Sequence, residues 1–448
     1  MSITRTPETT RTRMLPVAAL AFAVAAVAQV IGPLKINVGI GTMLLLPMVW
    51  GLLMGLVISV QKIKPLPVRY QRLATTLSGV AVLVLCARLS GDIGPNLPAL
   101  FKAGPALLLQ EIGHMLGTIV LALPLAVLLK MGRSTVGATF SLDREPAFAM
   151  VSNRFGANSD EYRGVLAMYV FGTVFGALYI SLLSSVVAGW KMFDPLALAM
   201  GSGVGSSSMM AASAVSISSV FPDAKSAITG MAAVSNLITG MLGVYVGMYI
   251  ALPLADRFYR LLTRTPAVVP ASGAGPEAAK GHDAGNAAFR AEVAEASARE
   301  TVSMKVALPV VGVLGLLVAI VSDIQSGTGF NLATVLGYVV MMALVAVSQY
   351  LGVLCRNKIQ PVIWITTLGV LLSMPWSPLA GFIHASLGAV NVLSITTVVL
   401  TFAGLSLGKD MGLLRKIGWK IIPVGLVAIT ASFIFATLIA EFSLGLWH

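Results

Sequence analysis

Apolar residues run along this chain in long unbroken stretches. They show neither the alternation of a half-buried strand nor the narrow stripe of a surface helix. The stretches are Met14–Ile31, Val38–Val60, Ala74–Leu89, Ile112–Lys130, Val165–Trp190, Ile228–Leu252, Met304–Val321, Leu332–Leu351, Pro361–Ser373, Asn391–Leu407 and Ile421–Glu441. Each approaches the length that crosses a hydrocarbon core, some only with tilt or flanking polar residues. The pattern predicts an all-α polytopic membrane protein with about eleven crossings. A membrane barrel is disfavoured, because its strands would alternate apolar and polar positions. Arg11 and Arg13 ahead of Met14–Ile31 resemble the start of a signal peptide. That run is long, however, and another follows within a few residues, so an uncleaved first span is expected.

Basic residues order the crossings. Arg5, Arg11 and Arg13 place the N-terminus in the cytoplasm, and Lys62, Lys64, Arg69 and Arg72 mark the next inner loop. Further inner clusters are Lys130, Arg133, Arg144, Arg154 and Arg163, then Arg257, Arg260 and Arg264, then Arg356 and Lys358, then Lys409, Arg415, Lys416 and Lys420. The segments 322–329, 375–389 and 442–448 lack Lys and Arg, as outer segments should, which leaves the C-terminus periplasmic in a bacterial inner membrane. The alternation holds only if Phe193–Pro222 dips in and returns, or breaks, without crossing. Residues 264–301 are rich in Pro, Ala, Gly and charge, and read as a flexible cytoplasmic linker between membrane halves 1–263 and 302–448.

Composition agrees with this reading. Of 448 residues, 57% are hydrophobic and 11% charged, and mean hydropathy is +0.89. Soluble domains run at about 45–50% apolar and about 25% charged, so an ordinary soluble enzyme, a disordered chain and a disulfide scaffold are all excluded. The net charge of +12 fits basic cytoplasmic loops, and no basic stripe interleaved with aromatics suggests nucleic acid. Cys86 and Cys355 form no spacing motif, and His114, His282, His384 and His448 are scattered, so no metal or other cofactor is expected.

Two stretches resemble each other. Ala87, Leu89, Ser90, Asp92 and Gly94 match Ala403, Leu405, Ser406, Asp410 and Gly412, and Leu108–His114 resembles Leu413–Trp419. In the charge-ordered topology the two copies run in opposite senses, the trace of an inverted-topology repeat as in many secondary transporters. Chance likeness of Leu- and Gly-rich helices is the plain alternative. Residues 165–252 have no clear partner.

The non-crossing segment contains Gly201, Ser202, Gly203, Gly205, Ser206, Ser207 and Ser208. Backbone in lipid must be hydrogen-bonded internally, and glycines at alternate positions let it bend or approach a ligand. Two half-helices meeting there would point dipoles and free N–H groups at a small anion. The bland reading is a small-residue packing face, which accounts for Gly51-x3-Gly55 and Gly172-x3-Gly176. Neither a P-loop nor a nucleophile elbow is present. Asn236 either binds substrate or makes an interhelical hydrogen bond. Glu111 and His114 are expected at a solvated interface. Asp92 and Asp410 are expected to cap turns. His384, Ser386 and Asn391 lie in a Lys/Arg-free outer stretch that could form a second dipping segment. The loop carrying Asp143, Arg144, Glu145, Asn153, Arg154, Asp160 and Glu161 reads as solvated and held by local ion pairs, with a salt-bridged inner gate as the sharper alternative.

The run Ile31-Gly-Pro-Leu-Lys-Ile36 with Gly41–Met48, the loop Leu142-Asp-Arg-Glu-Pro146 and the tail Leu414–Lys420 resemble the bacterial membrane family catalogued as domain of unknown function 3100. More distantly, the Gly/Ser-rich hairpin looks like those of the glutamate:sodium symporter and 2-hydroxycarboxylate transporter families. That likeness implies a dimeric elevator carrier of carboxylated solutes with two Gly-rich hairpins meeting at the substrate. This chain departs from it in having one clear hairpin. The expectation is a secondary active transporter of a small organic anion or amino acid, driven by Na⁺ or H⁺, in a homodimeric assembly within the lipid bilayer. It is not expected to be an enzyme; a channel or an intramembrane enzyme is the alternative.

Overall fold

The computed structural model describes residues 7–38, 41–96, 104–140, 147, 151, 154–155, 159–264, 302–356, 361–409, 411 and 418–447. The expected linker, the loop acids Asp143 and Glu145 with Arg144 and Asn153, and Asp410 fall outside them. Seven helices among the described residues are long and apolar enough to cross a membrane, and the count reaches eight if the bent pair Asp160–Phe171 with Val174–Gly189 is one span. The chain is thus a polytopic helical membrane protein. Two of the expected spans are shorter than a crossing needs. Val38–Val60 divides into a ribbon, β1 (Leu34–Val38) and β2 (Gly41–Leu45), and a 14-residue helix α2 (Pro47–Val60) that begins on its proline. The helix within 361–373 has 13 residues.

The remaining helices follow in chain order. α1 is Pro7–Ile31, before the ribbon; α3 is Val68–Ile93 and α4 is Gly104–Leu128. α5 is Ser134–Phe140, α6 is Asp160–Phe171 and α7 is Ala177–Gly189. α8 is Pro195–Gly201, α9 is Ser207–Val220, α10 is Lys225–Val246 and α11 is Leu252–Thr263. The second half holds α12 (Met304–Gln325), α13 (Leu332–Leu354), α14 (Pro361–Ser373), α15 (Ala380–Gly388), α16 (Val392–Ser406) and α17 (Ile421–Trp447). Helices α4 and α10–α11 each widen into a π turn, Thr118–Ala122 and Gly247–Ala251, just ahead of Pro124 and Pro253. A proline removes one backbone donor, and local widening is how an apolar helix absorbs that loss.

Cross-helix contacts fix the directions. Gly113 lies against Phe435 and Ala436, and Gly117 against Ala431, so α4 and α17 are antiparallel at close approach. Gln110 bonds Thr239 and Arg133 bonds Asp256, so α4 and α10–α11 run parallel. Thr229 bonds Asp92 and Asn96 bonds Ser226, so α10 opposes α3. The C-termini of α3 and α17 and the start of α10 therefore share one end of the bundle. Lys62, Lys64, Arg69, Lys130, Arg133, Arg257, Arg260 and Lys420 gather toward the other, as the basic clusters predict.

The two halves interleave. Gly51 faces Thr397 and Thr401, and a Cβ on Gly55 would sit 2.9 Å from the Leu405 nitrogen, so α2 and α16 run parallel in contact. Ser59 Oγ donates to the Gly404 carbonyl at 3.0 Å. α3 and α16 are antiparallel, with Ser78 Oγ on the Val399 carbonyl and Arg88 Nε on that of Val390.

Candidate functional site

The 193–222 segment is a two-armed hairpin. Asp194 caps α8 by accepting from Leu196 N at 2.7 Å, and Pro195 supplies the pre-set φ of a first helical residue. α8 ends after seven residues at Gly201. Gly205 has φ +77°, a left-handed turn that an L side chain rarely adopts. Ser206 Oγ then caps α9, accepting from Met209 N at 3.4 Å. The Asp194 nitrogen donates to Glu441 Oε2 near the C-terminus of α17. α9 passes through the turn Pro222–Ala224 to the start of α10, beside Asp92 and Asn96. Both arms therefore open on the same end of the bundle, opposite the main basic clusters, where Lys191 and Lys225 also stand. At 1.5 Å per residue, α8 carries the tip about 10 Å inward.

α10 holds that tip. Asn236 Nδ2 donates to the carbonyls of Gly203 at 2.8 Å and Gly205 at 3.1 Å, and Ser207 Oγ donates to Asn236 Oδ1 at 3.3 Å. Ser235 Oγ donates to the Met200 carbonyl at 2.7 Å, while Gly203 lies directly on Ser235. The backbone groups freed by the break are thus paired inside the protein, as a low-dielectric setting requires. Gly201, Ser202, Gly203 and Gly205 are buried; Ser206, Ser207 and Ser208 are half-buried. Ser206 and Ser208 hydroxyls lie 3.0 Å apart at the N-terminus of α9, where N–H groups lack intrahelical acceptors. Ser202, just past the end of α8, turns its hydroxyl back to the Ala199 carbonyl, which gives it a structural role.

Behind the tip, Gly201 packs against Thr437 of α17, and Thr239, one turn along α10 from Asn236, accepts from Gln110 Nε2 at 3.3 Å. Gln110 Oε1, Thr437 Oγ1 and Ser213 Oγ are buried with no hydrogen-bond partner among the described residues. Each such atom costs about 1–3 kcal/mol.

The other expected residues lie elsewhere. His384 is exposed, the Ser386 carbonyl abuts Gly337, and Asn391 caps α16 by accepting from Leu393 N at 3.1 Å. They flank the 389–391 break between α15 and α16, whose Val390 carbonyl is taken by Arg88 Nε at 2.8 Å.

A family model described as a protein of unknown function, DUF3100, matches residues 26–261. The chain belongs to this family. The match includes the DUF3100 hairpin and Asn236, and stops short of α17. No curated protein and no solved structure matches the chain.

This DUF3100 chain also corrects several expectations about single residues. Asp92 is no exposed cap: Arg88 Nη1 binds its Oδ1 at 2.9 Å, and both side chains are only 7% exposed. Thr229 Oγ1 donates to Asp92 Oδ2 at 2.7 Å. An Arg inside an apolar run, four residues before an Asp, was the signal for this pair. Glu111 is buried, not solvated at an interface, and His114 Nδ1 contacts Ser432 Oγ of α17. Helix approach through Gly113 and Gly117 brings His114 onto α17, which no linear pattern reveals.

At the basic end, Arg133 joins Glu161 at 2.6 Å and Asp256 at 2.9 Å, and Arg260 also reaches Asp256 at 3.3 Å. Arg133 lies over the rings of Tyr259 and Phe155. Burial pulls its pKa down, but the charges and hydrogen bonds of Glu161 and Asp256 outweigh this and leave it raised. The cluster ties α6 and α11 to the turn after α4, so Glu161 belongs to a largely buried ion network and not to a solvated loop.

Proposed function

We propose that this protein is a secondary active transporter. It carries a small organic anion or amino acid across the bacterial inner membrane at the hairpin tip, coupled to Na⁺ or H⁺. The observation that carries this reading is the pairing of Asn236 with the Gly203 and Gly205 carbonyls. It holds open a break in an apolar bundle and leaves three half-buried serines at the α9 N-terminus, a setting that favours a carboxylate. In this reading the hairpin is re-entrant, the N-terminus is cytoplasmic and the C-terminus periplasmic, with about eleven segments inserted in the bilayer.

The inverted repeat belongs to the same proposal. The first pair of copies lies in α3 and α16, which are antiparallel, the relation a pseudo-two-fold axis in the membrane plane requires; of the second pair, Leu413–Trp419 lies mostly outside the described residues. The 389–391 break, with His384, Ser386 and Asn391, would be the second hairpin, and the carrier would work as a homodimeric elevator.

The test is uptake into proteoliposomes of the purified full chain, over a panel of carboxylates and amino acids, with imposed Na⁺ or pH gradients. Gradient-dependent accumulation of at least one solute is expected. Uptake equal to empty vesicles for every solute under both gradients would overturn the proposal.

A further inference from the structure

A carboxyl and an imidazole lie one turn apart in the middle of the bundle. Glu111 and His114 are three positions apart on α4, which places them on one face with Cβ atoms about 5–6 Å apart. Glu111 is only 4% exposed. His114 Nδ1 meets Ser432 Oγ of α17, and Ser432 is fully buried. Along α17, Ser432 stands about 16 Å from Ile421 at the basic end and about 14 Å from Glu441 at the hairpin end. The pair therefore sits near mid-depth, where an ionisable side chain is expensive.

Among the described residues, the neighbouring elements bring no countercharge to that level. α17 carries one charged residue, Glu441, which takes the Asp194 nitrogen. α5 and α8 carry none. α10 carries Lys225 at the hairpin end, with Tyr245 as its other titratable residue. Tyr249 lies in the π turn that follows. Arg133, Asp256, Arg257, Tyr259 and Arg260 stand at the basic end. Between those ends, the described residues of these elements include no Lys, Arg or Asp and no other Glu. Packing does not call for the pair either, because Gly113 and Gly117 already close α4 onto α17.

Together the two groups can hold one proton without net charge, as a carboxylic acid beside a neutral imidazole or as a carboxylate beside an imidazolium. Without that proton they carry one negative charge. Loading or unloading it makes or breaks a single O–H or N–H bond, and nothing is oxidised or reduced. The charged form is costly in an apolar surrounding, so the proton changes the energy of the bundle around it. Imidazole is the side chain whose ordinary titration range suits such exchange in a cell. A proton also needs no cavity, so close packing is no obstacle to it.

Both helices that hold the pair also touch the hairpin. Gln110, next to Glu111, donates to Thr239, one turn from the Asn236 that holds Gly203 and Gly205. On α17, Thr437 lies against Gly201 at the end of α8. A change of charge at Glu111 and His114 thus acts on the helices packed around the tip.

From this we propose that Glu111 and His114 form the coupling site of the carrier, and that the coupling ion is H⁺ and not Na⁺. The proposal rests on the transporter reading above.

The experiment uses proteoliposomes of the full chain with trapped pyranine to read internal pH, and empty vesicles as the blank. The probes are radiolabelled succinate, L-malate, L-glutamate and L-alanine, under an imposed pH gradient or an imposed Na⁺ gradient. A gradient of about one pH unit can sustain about 10-fold accumulation per proton carried. Accumulation of at least one probe toward that level, with internal acidification, is expected of the wild type. Glu111→Gln and His114→Gln should each bring accumulation down to equilibration and abolish the acidification. Exchange of labelled for unlabelled probe, which needs no net proton movement, should persist in both, and a merely structural role would not separate exchange from accumulation. Thermal unfolding in detergent checks that each variant is folded; should one fail to fold, the other decides alone. Accumulation driven by Na⁺ alone with internal pH unmoved would overturn the assignment and leave the carrier standing. So would pH-driven accumulation that survives in either folded variant, loss of exchange in a folded variant, or loss of folding in both. No uptake of any probe under either gradient would remove both the assignment and the carrier reading.

Discussion

The side-chain amide of Asn236 sits 2.8 Å from the carbonyl oxygen of Gly203, thirty-three residues earlier in the chain, and reaches the Gly205 carbonyl from the same nitrogen. A single neutral donor group thus satisfies the two acceptors exposed by the helix break, and the break needs no buried charge to persist.

Asn236→Ala should lower the unfolding free energy by about 1–3 kcal/mol, because buried carbonyls lose their donor. Asn236→Asp should be worse, since an ionised carboxylate would face those carbonyl oxygens with no proton to give. Thermal unfolding in detergent measures both. An aspartate variant as stable as wild type would contradict this account of the tip.

The Arg88–Asp92 pair makes a second prediction. Removing one partner of a buried pair leaves the other charge uncompensated, at about 3–5 kcal/mol. Asp92→Leu and Arg88→Met should each destabilise on that scale. The double variant should cost much less than the two single losses added together. A double-mutant cycle with no coupling energy would show that the pair is not held as the 2.9 Å contact implies.

Arg133 predicts a pH response by its sign. Its folded-state pKa is raised, so its stabilising contribution is complete below the ordinary arginine value and is lost only as pH rises through the still higher folded value. The destabilisation caused by Arg133→Gln should therefore be the same at pH 6 and pH 9. Arg133→Lys should rescue only part of it, because an ammonium lacks the planar fork that spans Glu161 and Asp256. A rise or fall of the Gln effect across that interval would place its origin in another titrating group.

Accessibility offers a fourth test. Cys86 is buried and Cys355 half-exposed, so single cysteines at Ser206, Ser207 or Ser208 are best read in a Cys355→Ser background. Labelling by a polar maleimide should be partial in the free protein and fall when a transported solute is added. Labelling at all three positions that ignores every transported solute would detach the serines from substrate.

Much of the site was legible one residue at a time. Glycines at 201, 203 and 205 weaken a helix wherever they stand, and the basic clusters required that segment not to cross. The length of apolar runs determined the membrane class, because crossing a hydrocarbon core is a constraint on local sequence alone. The same local logic misjudged Val38–Val60, where Pro47 starts the helix late and the preceding residues pair as a ribbon.

What only the tertiary structure decided is which polar groups meet. Asn236 finds Gly203, Arg88 finds the Val390 carbonyl, Gln110 finds Thr239, and Glu111 ends up buried. Each of these depends on helix directions and on close approach through glycine, and neither is written in hydrophobic periodicity. In an apolar surrounding a polar side chain must settle on some partner. The chain's composition dictates that it will, and only packing dictates which.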